Sequence, residues 1–384
     1  MPRNYCVLLF MLVVQIQYSK AQKFEVLNET YTNLHKLKSL SYSTNFTEEN
    51  PFNPGDFSKG IIKTQISYGK DGVIDFRRDD SDKNSGQIVT NEIYKNGKRY
   101  TFNLTDSTYA VDNFTGIVKD ELHGIISAML ICLGKEPSKV LHNNDTLYNG
   151  RMCYQFLIKA YDTIAHGNHD YTFKTILIDK ISMMPLYYKE IGSGAAFKDG
   201  YEIGRLKFFI EKAFTDFKLN QIISSNELNF DGFQEVNKSM LRIGETAPLI
   251  DATPISNAKL FWKNSMKLDV KLVVFGSTTC SANPLSNPML NRLHSKYAGK
   301  NFYIVNVYTG DTVEQISQYI KNNHINFPVF FGTRSLSLRF KTIGTPNFYL
   351  IDWNDKIVAS IDGFSDSLEE ELTTKINNLI RQHD

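Results

Sequence analysis

Cysteine carries the most chemistry in this sequence, and it occurs at four positions, Cys6, Cys132, Cys153 and Cys280. Cys280 stands at the start of a helical segment, behind Ser277 and Thr279. A sulfur there faces backbone N–H groups and the positive end of the helix dipole, which stabilise a thiolate, so Cys280 is expected to be the most reactive thiol. Cys132 falls in a second helical segment, and Cys153 in the strand after the turn pair Asn149-Gly150. If that helix packs on the sheet the two can meet, and a bridge closing a loop of this size would stabilise by roughly 3 kcal/mol. Two separate buried thiols are the alternative. His166-Gly167-Asn168-His169-Asp170 gathers two imidazoles and a carboxylate. It lies in a loop between strands without a fourth ligand at regular spacing, so no metal site is expected. His294 and His324 are distant from Cys280 in sequence, and His294, about four helical turns away, should point elsewhere. No cofactor is expected.

The elements that must position these residues change character along the chain. Phe24, Leu27, Tyr31, Leu34, Leu37 and Leu40 recur at helical spacing, which predicts an amphipathic helix over residues 24–40. The period then becomes two, predicting strands at 61–68, 73–77, 88–94, 99–104, 152–158, 171–178, 185–191 and 204–217. Asn96-Gly97 and Asn149-Gly150 read as hairpin turns, since both residues tolerate positive φ. Residues 117–134, with Ile117, Leu122, Ile125, Ile126, Met129, Leu130 and Leu133, read as a helix stopped at Gly134. From about residue 240 strands and helices alternate, and the apolar runs Val270 to Phe275 and Phe302 to Val307 suit central strands buried on both faces. The Ser- and Asn-rich stretch 224–240 is the natural boundary.

The whole chain has 384 residues, 42% hydrophobic and 22% charged, a globular balance for which two domains are the prior expectation. Arg3, the apolar run at residues 7–14 and Ser19-Lys20-Ala21 have the form of a secretory signal peptide over residues 1–21, cleaved before Gln22. The apolar run is far short of the ~20 residues needed to span a bilayer, and no later stretch is apolar enough. With 43 Lys plus Arg against 41 Asp plus Glu, and Arg3 and Lys20 in the leader, the mature chain balances to zero, so neither nucleic acid nor an anionic membrane surface is an expected partner. Three cysteines would remain, an odd number that leaves at least one thiol unpaired or paired with another molecule.

Residues 241–384 carry five ordered motifs: Gly244-Glu245-Thr246-Ala247-Pro248, Lys271-Leu272-Val273-Val274-Phe275, Cys280 at its helix, Phe327-Pro328-Val329, and Gly344-Thr345-Pro346-Asn347-Phe348-Tyr349-Leu350-Ile351-Asp352. In order and spacing they resemble the TlpA/ResA-type extracytoplasmic thioredoxins. The resemblance implies an α/β thioredoxin fold, a cis bond before Pro346, and a substrate-binding role for Thr345 and Pro346 beside the active sulfur. Residues 22–223 resemble the LolA-like family. The resemblance there rests on Leu37-Lys38-Ser39-Leu40-Ser41-Tyr42, the hairpin Glu92 to Tyr100, and Leu177-Ile178-Asp179-Lys180 with Met184-Pro185-Leu186. It implies an α+β half-open antiparallel barrel around a helix, with an apolar hollow that holds acyl chains in some members. The core of the fold is the plainer account of the same side chains.

The departures from the thioredoxin pattern matter as much. A thiol-disulfide reductase needs a resolving thiol three residues after the first, and Asn283 stands there. Thr279 replaces the tryptophan usual before the nucleophile, and Val274 replaces the polar residue often found six positions before it. Three readings stay open for Cys280. In monothiol exchange with cell-envelope partners, an external thiol resolves the mixed disulfide and Ser277, Thr279 and Asn283 serve as supporting site residues. In a peroxiredoxin-like reading Cys280 is a peroxidatic cysteine; Ser277 fits the AhpC/TSA pattern and Val273, where proline belongs, does not. In the third the domain is redox-inactive and holds an extended peptide or a lipid. The family resemblances imply a bacterial protein exported to the periplasm.

Overall fold

The computed structural model describes residues 25–69, 72–82, 86–113, 121–198, 201–221, 227–236, 239–255 and 270–383. The proposed leader, residues 1–21, lies outside them. The chain divides into two compact units, one comprising residues up to Glu49 together with Phe57–Gln234, the other Asn50–Asp56 together with Glu235–Asp384.

In the first unit helix α1 covers residues 25–35. Strands β1 (Ser39–Glu49), β2 (Phe57–Gly69), β3 (Gly72–Asp82), β4 (Ile88–Lys95), β5 (Lys98–Asn103) and β6 (Thr108–Asn113) follow, then helix α2 (Glu121–Lys135). After α2 come β7 (Val140–Tyr148), β8 (Arg151–Ala165), β9 (Asn168–Asp179), β10 (Pro185–Lys198), β11 (Tyr201–Leu219) and the short β12 (Gln234–Glu235), whose first residue is the last of this unit. The sheet order among the described residues is β12-β6-β5-β4-β3-β2-β1-β11-β10-β9-β8-β7, so the sheet is open at β12 and β7 and does not close on itself. Asn96 and Gly97 take φ of 53° and 74°, and Asn149 and Gly150 take 47° and 76°, as two-residue hairpin turns require.

The opening helix is shorter than its periodicity suggests. Leu40 belongs to β1, paired with Ile66 on one side and Leu219 on the other, and Lys38 N–H already bonds Asn220 Oδ1 at 2.7 Å. A leucine three residues after Leu37 fits a helical stripe, but the barrier to continuing is tertiary: the backbone there pairs with two strands. Strands β6 and β7 were not expected either, since β7 runs through the polar Asn143, Asn144 and Asp145 and is identified only by its pairing with β8. Phe230 and Phe233, in the stretch read as a boundary, pack their rings on Phe102, and the units divide after Gln234.

Both helices cover one face of the sheet. Val26, Leu27 and Leu34 of α1 and Leu122, Ile126, Met129 and Leu133 of α2 are buried with Tyr42, Ile66, Phe156, Ile176, Ile178 and Phe214. The α2 side chains that the family resemblance offers as the lining of a hollow are therefore core. This packing also corrects the proposed bridge, because Cys132 and Cys153 are free thiols. Strand β8 is regular from Cys153 to Ile158, so Cys153, three residues from Phe156, points to the opposite face. There it is buried with Leu177 and Leu186, whereas Cys132 packs with the α2 side. The helix does pack on the sheet, and the parity of the strand keeps the sulfurs apart. Burial pushes both thiols up, with help from Glu136 at Cys132 and from Asp179 at Cys153.

The second unit runs β13 (Ala252–Ile255), β14 (Val270–Gly276), α3 (Ala282–Lys296), β15 (Phe302–Tyr308), α4 (Val313–Asn322), β16 (Val329–Gly332), α5 (Arg334–Arg339), β17 (Asn347–Ile351), β18 (Ile357–Asp362) and α6 (Leu368–His383). The sheet order is β13-β16-β15-β14-β17-β18, with β14 parallel to β15 and antiparallel to β17. This is the mixed, thioredoxin-like arrangement that the resemblance implies. Every residue of β14 is buried because both faces are covered. Val270, Leu272 and Val274 pack with α3, α4 and α6, and Val273 and Phe275 with Leu336 and Phe340.

Candidate functional site

The centre of the sheet leads to the candidate sulfur, that of Cys280. Strand β14 ends at Gly276, where a Cβ would stand 2.9 Å from Asn283 Nδ2 and 3.1 Å from Tyr308 Cζ, so only glycine lets the strand end approach the first turn of α3 so closely. Ser277 to Ser281 then form the turn into the helix. Cys280 N–H bonds Ser277 O at 3.4 Å and Asn283 N–H bonds Cys280 O at 3.2 Å, which sets Cys280 just before the helical N-terminus. Pro284 and Pro288 lie in α3, so the carbonyl of Pro284 receives no N–H from residue 288, and Ser286 Oγ donates to Asn283 O at 2.9 Å.

Opposite the thiol is the segment before β17. The Thr345–Pro346 bond is cis, as the resemblance implies, and Cys280 Sγ donates to Thr345 O at 2.9 Å. The side chain of Asn347, wholly buried, braces that segment: its Oδ1 accepts from Ile343 N–H at 2.9 Å, and its Nδ2 donates to Asp362 Oδ1 at 2.7 Å. Gly363 N–H closes on Pro346 O at 2.9 Å. Thr345 is thereby presented on a framed loop.

Of the other residues expected at the site, Ser277 and Thr279 bond each other, Oγ to Oγ1 at 2.9 Å, with Thr279 N–H also reaching Ser277 Oγ at 3.3 Å. Asn283 is turned inward and 2% exposed, donating Nδ2 to Ser277 O at 2.6 Å. It thus ties the turn to the helix. The histidine cluster is dispersed by its hairpin: His166 sits in the turn at φ 51°, His169 Nε2 pairs with Asp162 Oδ1 at 2.8 Å, and Asp170 pairs with Arg205. His294 lies in the last turn of α3, where burial pushes its imidazole down.

Beneath the turn is a polar cluster that the sequence did not disclose. Asp311, from the β15–α4 connection, accepts from Thr278 N–H at 3.1 Å and from Thr278 Oγ1 at 2.5 Å, and both residues are buried. Tyr319 of α4 accepts from Asn287 Nδ2 at 3.1 Å, and its ring meets that of Tyr308, 5.9 Å between centroids. Burial pushes the Tyr308 hydroxyl well up. No local signal marks Asp311, since its partner is 33 residues away.

Burial also pushes the Asp311 carboxyl up from its ordinary value of 3.8, against the two bonds from Thr278, with the Asp56 charge adding to the rise. Between the unfolded and the native pKa the native state binds more protons, so this group's contribution to stability is full below the unfolded value and is lost as pH rises through the native one. Asp311→Asn should remove that slope. In urea titrations, wild type compares better with the variant at pH 4 than at pH 7; an equal difference at both would refute the assignment.

No protein-family model matches the chain, and no curated protein does. Among solved structures, a thioredoxin domain of a thiol-disulfide oxidoreductase from Bacteroides vulgatus is 23% identical, covers 36% of this chain and 99% of its own, and has a TM-score of 0.32. A thioredoxin-family thiol:disulfide interchange protein from Chlorobium tepidum is 20% identical over 37% of this chain and 99% of its own, with a TM-score of 0.32. A thiol:disulfide interchange protein from Bacteroides sp. is 23% identical over 36% of this chain and 91% of its own, also at 0.32. Each of the three covers about a third of this chain.

Proposed function

We propose that this is an extracytoplasmic thioredoxin-like protein that acts by thiol–disulfide exchange through one cysteine, Cys280, on cell-envelope partners. The observation that carries the reading is the contact of Cys280 Sγ with Thr345 O, 2.9 Å apart, at a helix N-terminus and next to a cis-proline. The Cys280 thiol gives its proton to solvent, and the thiolate attacks one sulfur of a partner disulfide. The partner's S–S bond breaks, a mixed disulfide to Cys280 forms, and the other partner sulfur leaves as a thiolate. With Asn283 in the place of a resolving thiol, an external thiolate must attack the mixed disulfide and return Cys280 to its reduced state. The Ser277 hydroxyl is engaged by Thr279, which gives the peroxidase reading no support. The LolA-like reading of the first unit rests on its sequence motifs, and two helices sharing one face of its antiparallel sheet go with it. Among the described residues no helix is long and apolar enough to cross a membrane.

Glutathione disulfide tests the exchange. Native protein should gain one glutathione by intact mass, mapped to Cys280 and absent from Cys280→Ser. An adduct at Cys280 only after denaturation would mean that the sulfur is structural and that the groove beside Thr345 and Pro346 serves binding alone.

A further inference from the structure

Seven residues of the second unit, Asn50–Asp56, come from far outside the rest of it in sequence. Their backbone closes on itself: Asn50 N–H bonds Asp56 O at 2.8 Å, Asn53 N–H bonds Asn50 O at 3.1 Å, and Asp56 N–H bonds Asn53 O at 3.0 Å. Phe52 N–H bonds Asn50 Oδ1 at 3.0 Å. The carbonyls of Phe52 and Pro54 and the side chains reach the rest of the unit, and Asn50, Asn53 and Asp56 are all buried.

Most of these bonds anchor the segment on α4. Asn53 Nδ2 donates to Gln315 O at 3.1 Å and Gln315 Nε2 donates to Asp56 Oδ1 at 3.1 Å. Asn322 Nδ2 donates to Asn53 Oδ1 at 3.0 Å. The capping box of α4, with Gln315 N–H on Thr312 Oγ1 and Thr312 N–H on Gln315 Oε1, keeps Gln315 in place for this.

One bond goes elsewhere. Asn50 Nδ2 donates to Thr278 O at 3.0 Å, two residues before the reactive thiol. Thr278 is wholly buried, and Asp311 already holds its N–H and hydroxyl. With its carbonyl taken by Asn50, every polar group of Thr278 is satisfied, and the peptide plane between Thr278 and Thr279 is fixed. A buried carbonyl deprived of its donor would turn to find another, and the turn that carries Cys280 would move with it.

We propose that Asn50 is a positioning residue for Cys280: it holds the Thr278 carbonyl so that the sulfur is set between the α3 N-terminus and Thr345. The proposal rests on the reading of Cys280 as the reacting thiol. Asn53 supplies the control, since it is buried in the same segment and bonds α4 but not the Cys280 turn. The full-length proteins Asn50→Ala and Asn53→Ala are compared with wild type for the rate of Cys280 alkylation by iodoacetamide, followed by peptide mass, and for the urea midpoint. Both variants should lower the midpoint. Only Asn50→Ala should slow Cys280, by about tenfold, the worth of one buried hydrogen bond, while Asn53→Ala stays within about twofold of wild type. Should Asn50→Ala not fold, Asn50→Asp keeps the shape and the acceptor for Phe52, removes the amide donor shared by Thr278 O and Asp56 Oδ2, and should slow Cys280 likewise, the loss at Asp56 being matched in Asn53→Ala. A Cys280 rate unchanged in the Asn50 variant, or changed alike in both positions, overturns the proposal. Iodoacetamide needs only a nucleophilic sulfur, so this result stands whether or not glutathione disulfide forms the adduct that the proposed function requires.

Discussion

Ellman's disulfide added to the native protein should release one equivalent of thionitrobenzoate in a fast phase and leave the other half of the reagent attached to Cys280. The fast phase should vanish in Cys280→Ser, because Cys153 is buried and desolvation with a nearby carboxylate pushes the Cys153 and Cys132 thiols up. The adduct should persist in wild type, since Cys280 is the sole cysteine of the second unit and Asn283 has no sulfur to offer. Asn283→Cys changes the outcome in kind. The N–H of residue 283 bonds the carbonyl of Cys280 at 3.2 Å, one turn of backbone apart, so an introduced thiol attacks the adduct within the same molecule. It expels a second equivalent of thionitrobenzoate and leaves an internal disulfide. At an effective concentration of roughly millimolar or more, this step outruns resolution by micromolar external thiol about a thousandfold. The substitution loses the bond to Ser277 O but also removes Asn283 Oδ1, a buried acceptor with no donor among the described residues, so the fold should tolerate it. An adduct in the variant as lasting as in wild type would show that the two positions do not meet.

The second large effect lies in the strand that follows the cis-proline. Phe348 is wholly buried, paired with Val274 on one side and Ile361 on the other, within the core that α3 and α6 cover. Phe348→Ala removes a ring that nothing can replace and should cost about 3–5 kcal/mol, a large share of the ~5–15 kcal/mol by which such proteins are stable. The urea midpoint should fall with the slope unchanged. Phe348→Leu, which keeps most of the volume, should fall by much less. A loss under about 1 kcal/mol in the alanine variant would mean that the core closes over the gap, against the packing described.

What the sequence disclosed was the chemistry carried by local signals. Cys280 before its helix and the two Asn-Gly turns each depend on a few neighbouring residues and stand where expected, while the cis bond before Pro346 was implied by the family resemblance and is present. The stretch through Leu37 and Leu40 misled because a single leucine fits both periods, and only the pairing with Ile66 and Leu219 assigns it to a strand. The separation of Cys132 from Cys153 was within reach, since Cys153 and Phe156 lie on opposite faces by parity alone. It needed the further fact that α2 covers the Phe156 face. Thr278 gives the clearest case of what sequence withholds: it is held by Asp311 from 33 residues downstream and by Asn50 from 228 residues upstream, and nothing local marks either partner.

That last distance bears on how the protein is made. The entropic cost of closing a loop grows with the logarithm of its length, and contacts between residues so far apart form slowly. During synthesis Asn50–Asp56 emerges long before Cys280, and the bond from Asn50 to Thr278 closes only after the residues between have been translated. A gene fragment that starts at residue 235 would translate Cys280 without the segment that completes its unit, leaving the side-chain amides of Gln315 and Asn322 without their partners on Asp56 and Asn53.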